Sequence, residues 1–317
     1  MRMLIRTFAK GGYGKMEILR IESDRNEARH DCSLACIGYF DGIHKGHQKL
    51  LQKVKALSQE AIPSVICFDS DPWIVMHKIE EARYITPLKA RLELLEKMGM
   101  ERCFLLHFNE AMMCLSPEAF IDQVLRPLHL QGIVCGEDFH FGYRGQGDTD
   151  TLRTSGIGTY VEATFQRNHV KVSSSLIEQS ILNGNMREAY EDLGRFYSIS
   201  GHVIHGRSVG AKRLGFPTAN VLLDENYLLP KIGVYSGAVR YQGHLYKAMI
   251  NVGHNPTFNY QDSISIEAHI LDFHESIYGQ TIQVYFYDYL RDEQKFNNEH
   301  ELNQQLLHDV EYVRHAR

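Results

Sequence analysis

The chain has 317 residues, 44% hydrophobic and 23% charged, with a formal net charge of -5 at pH 7. These values fit a globular protein of two domains and exclude a generic binder of nucleic acid or anionic membranes. Phosphate must therefore be held by local motifs rather than by a broadly basic surface. Met3-Leu4-Ile5 is too short for a signal-peptide core, and no later apolar run is long enough to span a bilayer. The expected location is the cytoplasm, with neither a membrane nor a nucleic-acid partner.

From Leu34 to about Gly136 short apolar runs alternate with segments of helical period. Strands are predicted at 34–40, 64–68, 103–108 and 133–136, and helices at 47–57, 88–98 and 117–125. This alternation is the pattern of a parallel α/β sheet, whose ligands gather at the carboxyl ends of the strands. The six cysteines, Cys32, Cys36, Cys67, Cys103, Cys114 and Cys135, form no Cys-x-x-Cys pair and read as reduced core thiols. A zinc site through Cys32 and Cys36 lacks the usual ligand spacing. After Gly147 the pattern weakens, and two short helices are predicted at 174–183 and 186–193. A boundary after them, near Gly194 to Ser200, gives domains 1–194 and 195–317. The second is β-rich, with runs at 202–204, 233–241, 246–252, 263–271 and 281–289 and a turn at Tyr241-Gln242-Gly243. An antiparallel barrel would close that many strands. Leu302, Leu306, Val310 and Val313 recur at helical spacing in 299–313, which predicts a capping helix.

Two segments carry the chemistry. In Gly38-Tyr39-Phe40-Asp41-Gly42-Ile43-His44-Lys45-Gly46-His47 the glycines and Asp41 permit a tight turn after the first strand. If a helix opens there, His44 and His47 share its first turn and face incoming phosphate, although an ordinary exposed helix could also carry two such histidines. The second segment is Gly206-Arg207-Ser208-Val209-Gly210-Ala211-Lys212-Arg213-Leu214-Gly215-Phe216-Pro217-Thr218-Ala219-Asn220. Its glycines let backbone amides approach an anion, its cations neutralise that anion, and the Thr218 hydroxyl and Asn220 carbonyl are hard oxygen ligands suited to Mg²⁺.

The second segment resembles the nucleotide-binding signature of riboflavin kinases. The first resembles the HxGH-type phosphate site of nucleotidyltransferases, in the form found in prokaryotic FAD synthetases. Together and in this order they resemble the bifunctional riboflavin kinase/FMN adenylyltransferase family over nearly the whole chain. The resemblance implies an N-terminal Rossmann-like nucleotidyltransferase domain with a parallel sheet, then an antiparallel riboflavin-kinase β-barrel with a C-terminal helix. It implies FAD biosynthesis: ATP phosphorylates riboflavin to FMN, and a second ATP adenylylates FMN to FAD with release of pyrophosphate. The small-molecule substrates are riboflavin, FMN and ATP, with Mg²⁺ as cofactor.

Residue by residue, the resemblance implies catalytic roles for His44 and His47 and ATP contacts for Gly38, Phe40, Asp41, Gly46, Ser174 and Ser175. Asp138 and Phe139, in Gly136-Glu137-Asp138-Phe139-His140-Phe141-Gly142, would lie beside nucleotide and flavin. In the kinase half Glu267 is expected as general base, since the ribityl hydroxyl must lose a proton as it attacks. ATP contacts are expected from Gly206, Gly210, Lys212, Gly215, Pro217, Thr218 and Asn220. Thr218 and Asn220 would also hold the metal, and Arg291 and Glu293 would meet the flavin. Two positions depart from the family pattern. Ser173-Ser174-Ser175-Leu176-Ile177-Glu178 has Glu178 where an Arg is expected, and Phe68-Asp69-Ser70-Asp71-Pro72 has Asp71 where a His is expected. Each puts an anion near the expected transferase site, with Lys171, Arg144 and Arg187 as candidate compensating cations. The departures motivate an alternative, an effectively monofunctional riboflavin kinase with a degenerate transferase domain. A non-catalytic flavin or nucleotide sensor is the rival from another class, and intact Thr218, Asn220 and Glu267 argue against it.

Overall fold

The computed structural model describes residues 16–21, 32–77, 79, 82–206, 215–254 and 264–316. These form two compact units. One takes in the described residues up to Ala82 together with Thr86–Ser173, and the other Arg83–Ile85 together with the residues from Ser174 onward.

The first unit is built on a parallel sheet of β1 (Glu17–Ile21), β2 (Ser33–Ile37), β3 (Ile62–Phe68), β4 (Arg102–Leu106), β5 (Leu130–Gly136) and β6 (Gly158–Glu162), in the order β1-β4-β3-β2-β5-β6. Helices α1 (Lys45–Leu57), α2 (Pro72–His77), α3 (Leu88–Lys97), α4 (Glu110–Met113), α5 (Pro117–Phe120) and α6 (Thr149–Thr154) lie in the connections. Every residue of β2 and β4 is buried, because helices cover a parallel sheet on both faces. Side chains alternate between two cores. Ala35, Ile37, Ile66, Phe104 and Ile133 enter one, while Cys36, Val65, Cys67, Cys103 and Val134 pack against Leu51 and Val54 of α1 and Leu92 and Leu95 of α3 in the other. The chain runs outward from β2 through β3 to β4 and then returns to β5 on the other side of β2. That reversal is a topological switch point, where open α/β sheets bind ligands beyond the carboxyl ends of their strands.

β1, β6, α2, α4 and α6 are additions to the predicted elements. β2 stops at Ile37 rather than Phe40, because Phe40 at φ 63° and Gly42 at φ 75° leave the extended region and enter a 3-10 turn at Asp41–Ile43. Four of the cysteines are buried, but Cys32 and Cys114 are exposed, which corrects the reading of all as core thiols. Cys32 precedes β2 and Cys114 follows α4, so neither occupies an inward strand position. Burial pushes the Cys135 thiol up to about 11.

In the second unit β9 (Tyr197–Ile204), β10 (Ala219–Leu223), β11 (Gly233–Tyr241), β12 (His244–His254), β13 (Ile264–Ile270) and β14 (Thr281–Arg291) close an antiparallel barrel, in the order β10-β13-β12-β11-β14-β9. The intervening numbers β7 (Gln166–Arg167) and β8 (Val170–Lys171) belong to a two-stranded hairpin of the first unit. Gln242 and Gly243, at φ 46° and 84°, turn β11 into β12, the left-handed pair that matches strand twist. Helix α9 (Glu299–His315) follows two earlier helices, α7 (Ser174–Leu182) and α8 (Met186–Leu193). Its apolar stripe of Leu302, Leu306, Val310 and Val313 covers Phe216, Val234, Met249 and Leu271. α7 packs on α8, and α8 packs on β9 and β14. By their contacts α7 and α8 group with the barrel, so that the compact units divide between Ser173 and Ser174.

Candidate active sites

In the first unit, the turn after β2 ends at His44, which caps α1: its Nδ1 accepts a hydrogen bond from the His47 amide at 3.4 Å. Because Nδ1 is the acceptor, the neutral ring carries its proton on Nε2, a donor suited to phosphate oxygen. The His44 and His47 rings stack with centroids 3.7 Å apart, and Phe40 meets His47 at 5.0 Å. Gly46 leaves room for this stack, since a Cβ there would lie 3.0 Å from His44 Cε1 and press on that ring. The N-terminal amides of α1 add their partial positive charge. The phosphate motif thus forms a histidine-capped helix start at the switch point. Two residues expected to touch ATP are committed elsewhere. Phe40 is wholly buried. Asp41 is 3% exposed, and its Oδ1 accepts from the amides of Gly42 at 2.8 Å and Thr86 at 2.7 Å.

Asp138 and Phe139 follow β5, the neighbour of β2. Phe139 stacks on Phe141, with centroids 5.6 Å apart. Asp138 folds over Gly136, where a Cβ would fall 2.7 Å from Asp138 Oδ1, and pairs with Lys171 at the end of β8. Burial alone would raise the Asp138 carboxyl, and the Lys171 ammonium more than offsets it, holding it below the usual carboxylate range. Of the candidate compensating cations, Lys171 is the one placed on an expected site residue. Arg144 lies over the Tyr143 ring at 5.2 Å, and Arg187 pairs with Asp288 at 3.4 Å. Ser174, Ser175 and Glu178 belong to α7 and hence to the second unit. The Asp71 carbonyl accepts from the Val75 amide at 3.1 Å, in the first turn of α2.

In the barrel, strand register builds the site. Asn220 on β10 lies opposite Glu267 on β13, which lies opposite Asn251 on β12. Residues paired in this way project to one face, so the three side chains form a row across three strands. The Thr218 hydroxyl donates to Glu267 Oε2 at 3.1 Å. Gly206 clears the end of the row, since a Cβ there would fall 2.0 Å from Asn220 Nδ2. Likewise a Cβ on Gly253 would fall 2.1 Å from Glu293 Oε1 and 2.9 Å from Asn251 Nδ2, which brings Glu293 to the same neighbourhood. Pro217 is held through its carbonyl by His269 Nδ1 at 2.8 Å, and Gly215 takes φ 87°. Gly210 and Lys212 lie outside the described residues. Arg291, expected at the flavin, donates through Nε and Nη2 to Asp309 Oδ2 on α9, at 3.0 and 2.8 Å, and through Nη1 to the Asp292 carbonyl at 3.2 Å. Asn251 joins the row although the sequence reading gave it no role of its own. Its register opposite Glu267 sets it there.

A glycine-bearing turn at the switch point of a parallel sheet, and a hydroxyl–carboxylate pair in a closed barrel, are the two candidate centres of a transferase, a class that comparison with known proteins identifies. The FAD synthetase family model matches residues 25–176, and the riboflavin kinase model matches residues 193–317. The chain is 36% identical over 284 residues to a bifunctional riboflavin kinase/FMN adenylyltransferase of Listeria monocytogenes, across 88% of this chain and 90% of that one. It is 37% identical over 286 residues to the protein of the same name from Bacillus subtilis, across 87% and 90%. A crystal structure from Streptococcus pneumoniae, described as a macrolide-efflux protein, matches with a TM-score of 0.85 at 30% identity, over 94% of this chain and all of that one. No helix among the described residues is long and apolar enough to cross a membrane. The chain belongs to the bifunctional riboflavin kinase/FMN adenylyltransferase family.

Proposed function

We propose that the two units divide the two reactions of the family: the barrel phosphorylates riboflavin, and the parallel-sheet unit adenylylates the resulting FMN. ATP is the co-substrate of both steps. The observation that carries the kinase half is the Thr218–Glu267 hydrogen bond within the Asn220–Glu267–Asn251 row. The primary ribityl hydroxyl attacks the γ-phosphorus of ATP. An O–P bond forms, the bond to the ADP oxygen breaks, and the hydroxyl proton passes to the Glu267 carboxylate. The Thr218 hydroxyl orients that carboxylate. Thr218 and Asn220 offer hard oxygens, and the absence of a side chain at Gly206 gives Asn220 its room, so this donor set suits Mg²⁺. A bound Mg²⁺ would neutralise charge on the ATP phosphates. Glu293, beside Gly253 and Asn251, is assigned to the flavin side. Arg291 serves there through its hold on Asp309 and the Asp292 carbonyl.

In the first unit an FMN phosphate oxygen attacks the α-phosphorus of ATP and pyrophosphate leaves. No covalent protein intermediate is needed. His44, His47 and the first amides of α1 stabilise charge on the phosphates, and Asp138 with Lys171 borders the site from β5.

Flavin chromatography tests both halves. Wild-type protein with ATP and Mg²⁺ is expected to yield FAD from riboflavin and from FMN. FMN accumulating from riboflavin, with no FAD in either reaction, would reject the adenylyl-transfer assignment in favour of the monofunctional kinase. Glu267→Gln should lower FMN formation at least about a hundredfold while FAD formation from FMN persists. An unchanged FMN rate would reject Glu267 as base.

A further inference from the structure

Arg91 lies on α3 between Leu88 and Leu95, on the stripe that packs against the sheet, and is 1% exposed. A guanidinium is costly to desolvate unless acceptors surround it. Here they come from separate connections of the first unit. Nη1 donates to the carbonyls of Tyr39 at 2.8 Å and Phe68 at 3.2 Å, Nε to the Thr86 carbonyl at 3.4 Å, and Nη2 to the Tyr39 hydroxyl at 3.3 Å. The guanidinium also lies 4.3 Å from the centre of the Tyr39 ring. Tyr39 follows β2, Phe68 ends β3 and Thr86 leads into α3. Asp41 ties the same pieces from the other side, because its carboxylate receives the Thr86 amide as well as that of Gly42.

The segment held in this way is strained. Phe40 stands at φ 63° and Ile43 at φ 40°. A β-branched residue adopts such a left-handed conformation only where its surroundings impose it. His44 comes next. We propose that Arg91 is a positioning residue for adenylyl transfer: it holds the 39–43 turn in the strained form that sets His44 and His47 at the start of α1. At 1% exposure it acts through that turn rather than by touching ATP. The inference rests on the reading of the His44 turn as the adenylyl-transfer site.

The test uses the full chain, with FMN formation in the barrel as an internal control. Arg91→Met should lower kcat for FAD formation at least about tenfold, with KM for ATP moving less than about threefold and FMN formation less than about twofold. Arg91→Lys keeps the charge but loses the planar fork, and should fall between wild type and Arg91→Met. It is the deciding variant if Arg91→Met does not fold. A cycle with His44→Ala separates positioning from general stability. If Arg91 acts through the turn, adding Arg91→Met or Arg91→Lys to His44→Ala costs less activity than the same change costs in wild type. Additive losses, or equal losses in the two reactions, would overturn the proposal. Full FAD formation by His44→Ala would overturn the site reading itself, and this inference with it. A normal rate for Arg91→Lys and Arg91→Met beside an impaired His44→Ala would overturn the inference alone.

Discussion

The two centres reach their geometry by different means. In the first unit Asp41 and His44 are buried, the rings of His44 and His47 are stacked, and the turn between β2 and α1 is held at left-handed dihedrals by contacts from distant loops. In the barrel, Asn220, Glu267 and Asn251 are only partly buried and sit on regular antiparallel strands, aligned by register alone. The contrast matches the chemistry. Adenylyl transfer asks the protein for donors fixed against phosphate, and a rigid, over-determined turn supplies them. Phosphorylation of an alcohol also needs a proton acceptor, and a partly accessible carboxylate on a strand can take up and release that proton.

The comparison breaks most readily at the residues proposed as catalytic. His44→Ala should cut FAD formation from FMN about a hundredfold and leave FMN formation from riboflavin intact, the mirror image of Glu267→Gln. Loss of both products from either variant would mean that the centres are not independent. A smaller effect is expected from steric intrusion in the barrel. Gly206→Ala places a methyl on the Asn220 amide and should raise KM for ATP in the kinase reaction about tenfold, read from initial rates. An unchanged KM would remove Asn220 from the nucleotide side. Glu178→Arg restores the cation expected from the family pattern and should raise the FAD rate about fivefold. No gain would show that Glu178 does not hold back FAD formation. The mildest probe is thiol alkylation near neutral pH. Mass spectrometry should find Cys32 and Cys114 modified and the buried Cys36, Cys67, Cys103 and Cys135 spared, with FMN formation untouched. Rapid labelling of Cys135, whose thiol is pushed up to about 11, would contradict the packed core.

The fold was legible wherever hydrophobic period was strong: the central strands β2 to β5, the helices α1 and α3, and the long strands of the barrel. β1, β6 and β10 escaped because they are only partly buried, unlike the equally short but fully buried β2 and β4, and β10 begins within the Pro-Thr-Ala-Asn run that reads as a loop. His44 and His47 were visible because a local motif holds both. Arg91 was not, since a cation inside a helix reads as a solvated face. Its one clue was its place among Leu88, Leu92 and Leu95, where a fourth apolar residue would be expected. Asn251 and Glu267 are far apart in sequence, and only β-pairing brings them together. Arg291 was singled out by resemblance, and its pairing with buried Asp309 on α9 became visible only in the fold.

Arg83–Ile85 carries one more consequence. These residues interrupt the first unit's sequence yet belong to the barrel unit, where the Tyr84 amide donates to Asn226 O at 2.9 Å and the Leu228 amide donates to Tyr84 O at 2.7 Å. During synthesis the chain emerges N-terminus first. The parallel sheet can therefore be complete through β6 while Tyr84 still waits for a pairing partner that the ribosome has not yet made. The last stitch of an early segment is thus tied late, and a gene cut between the two halves would leave it untied.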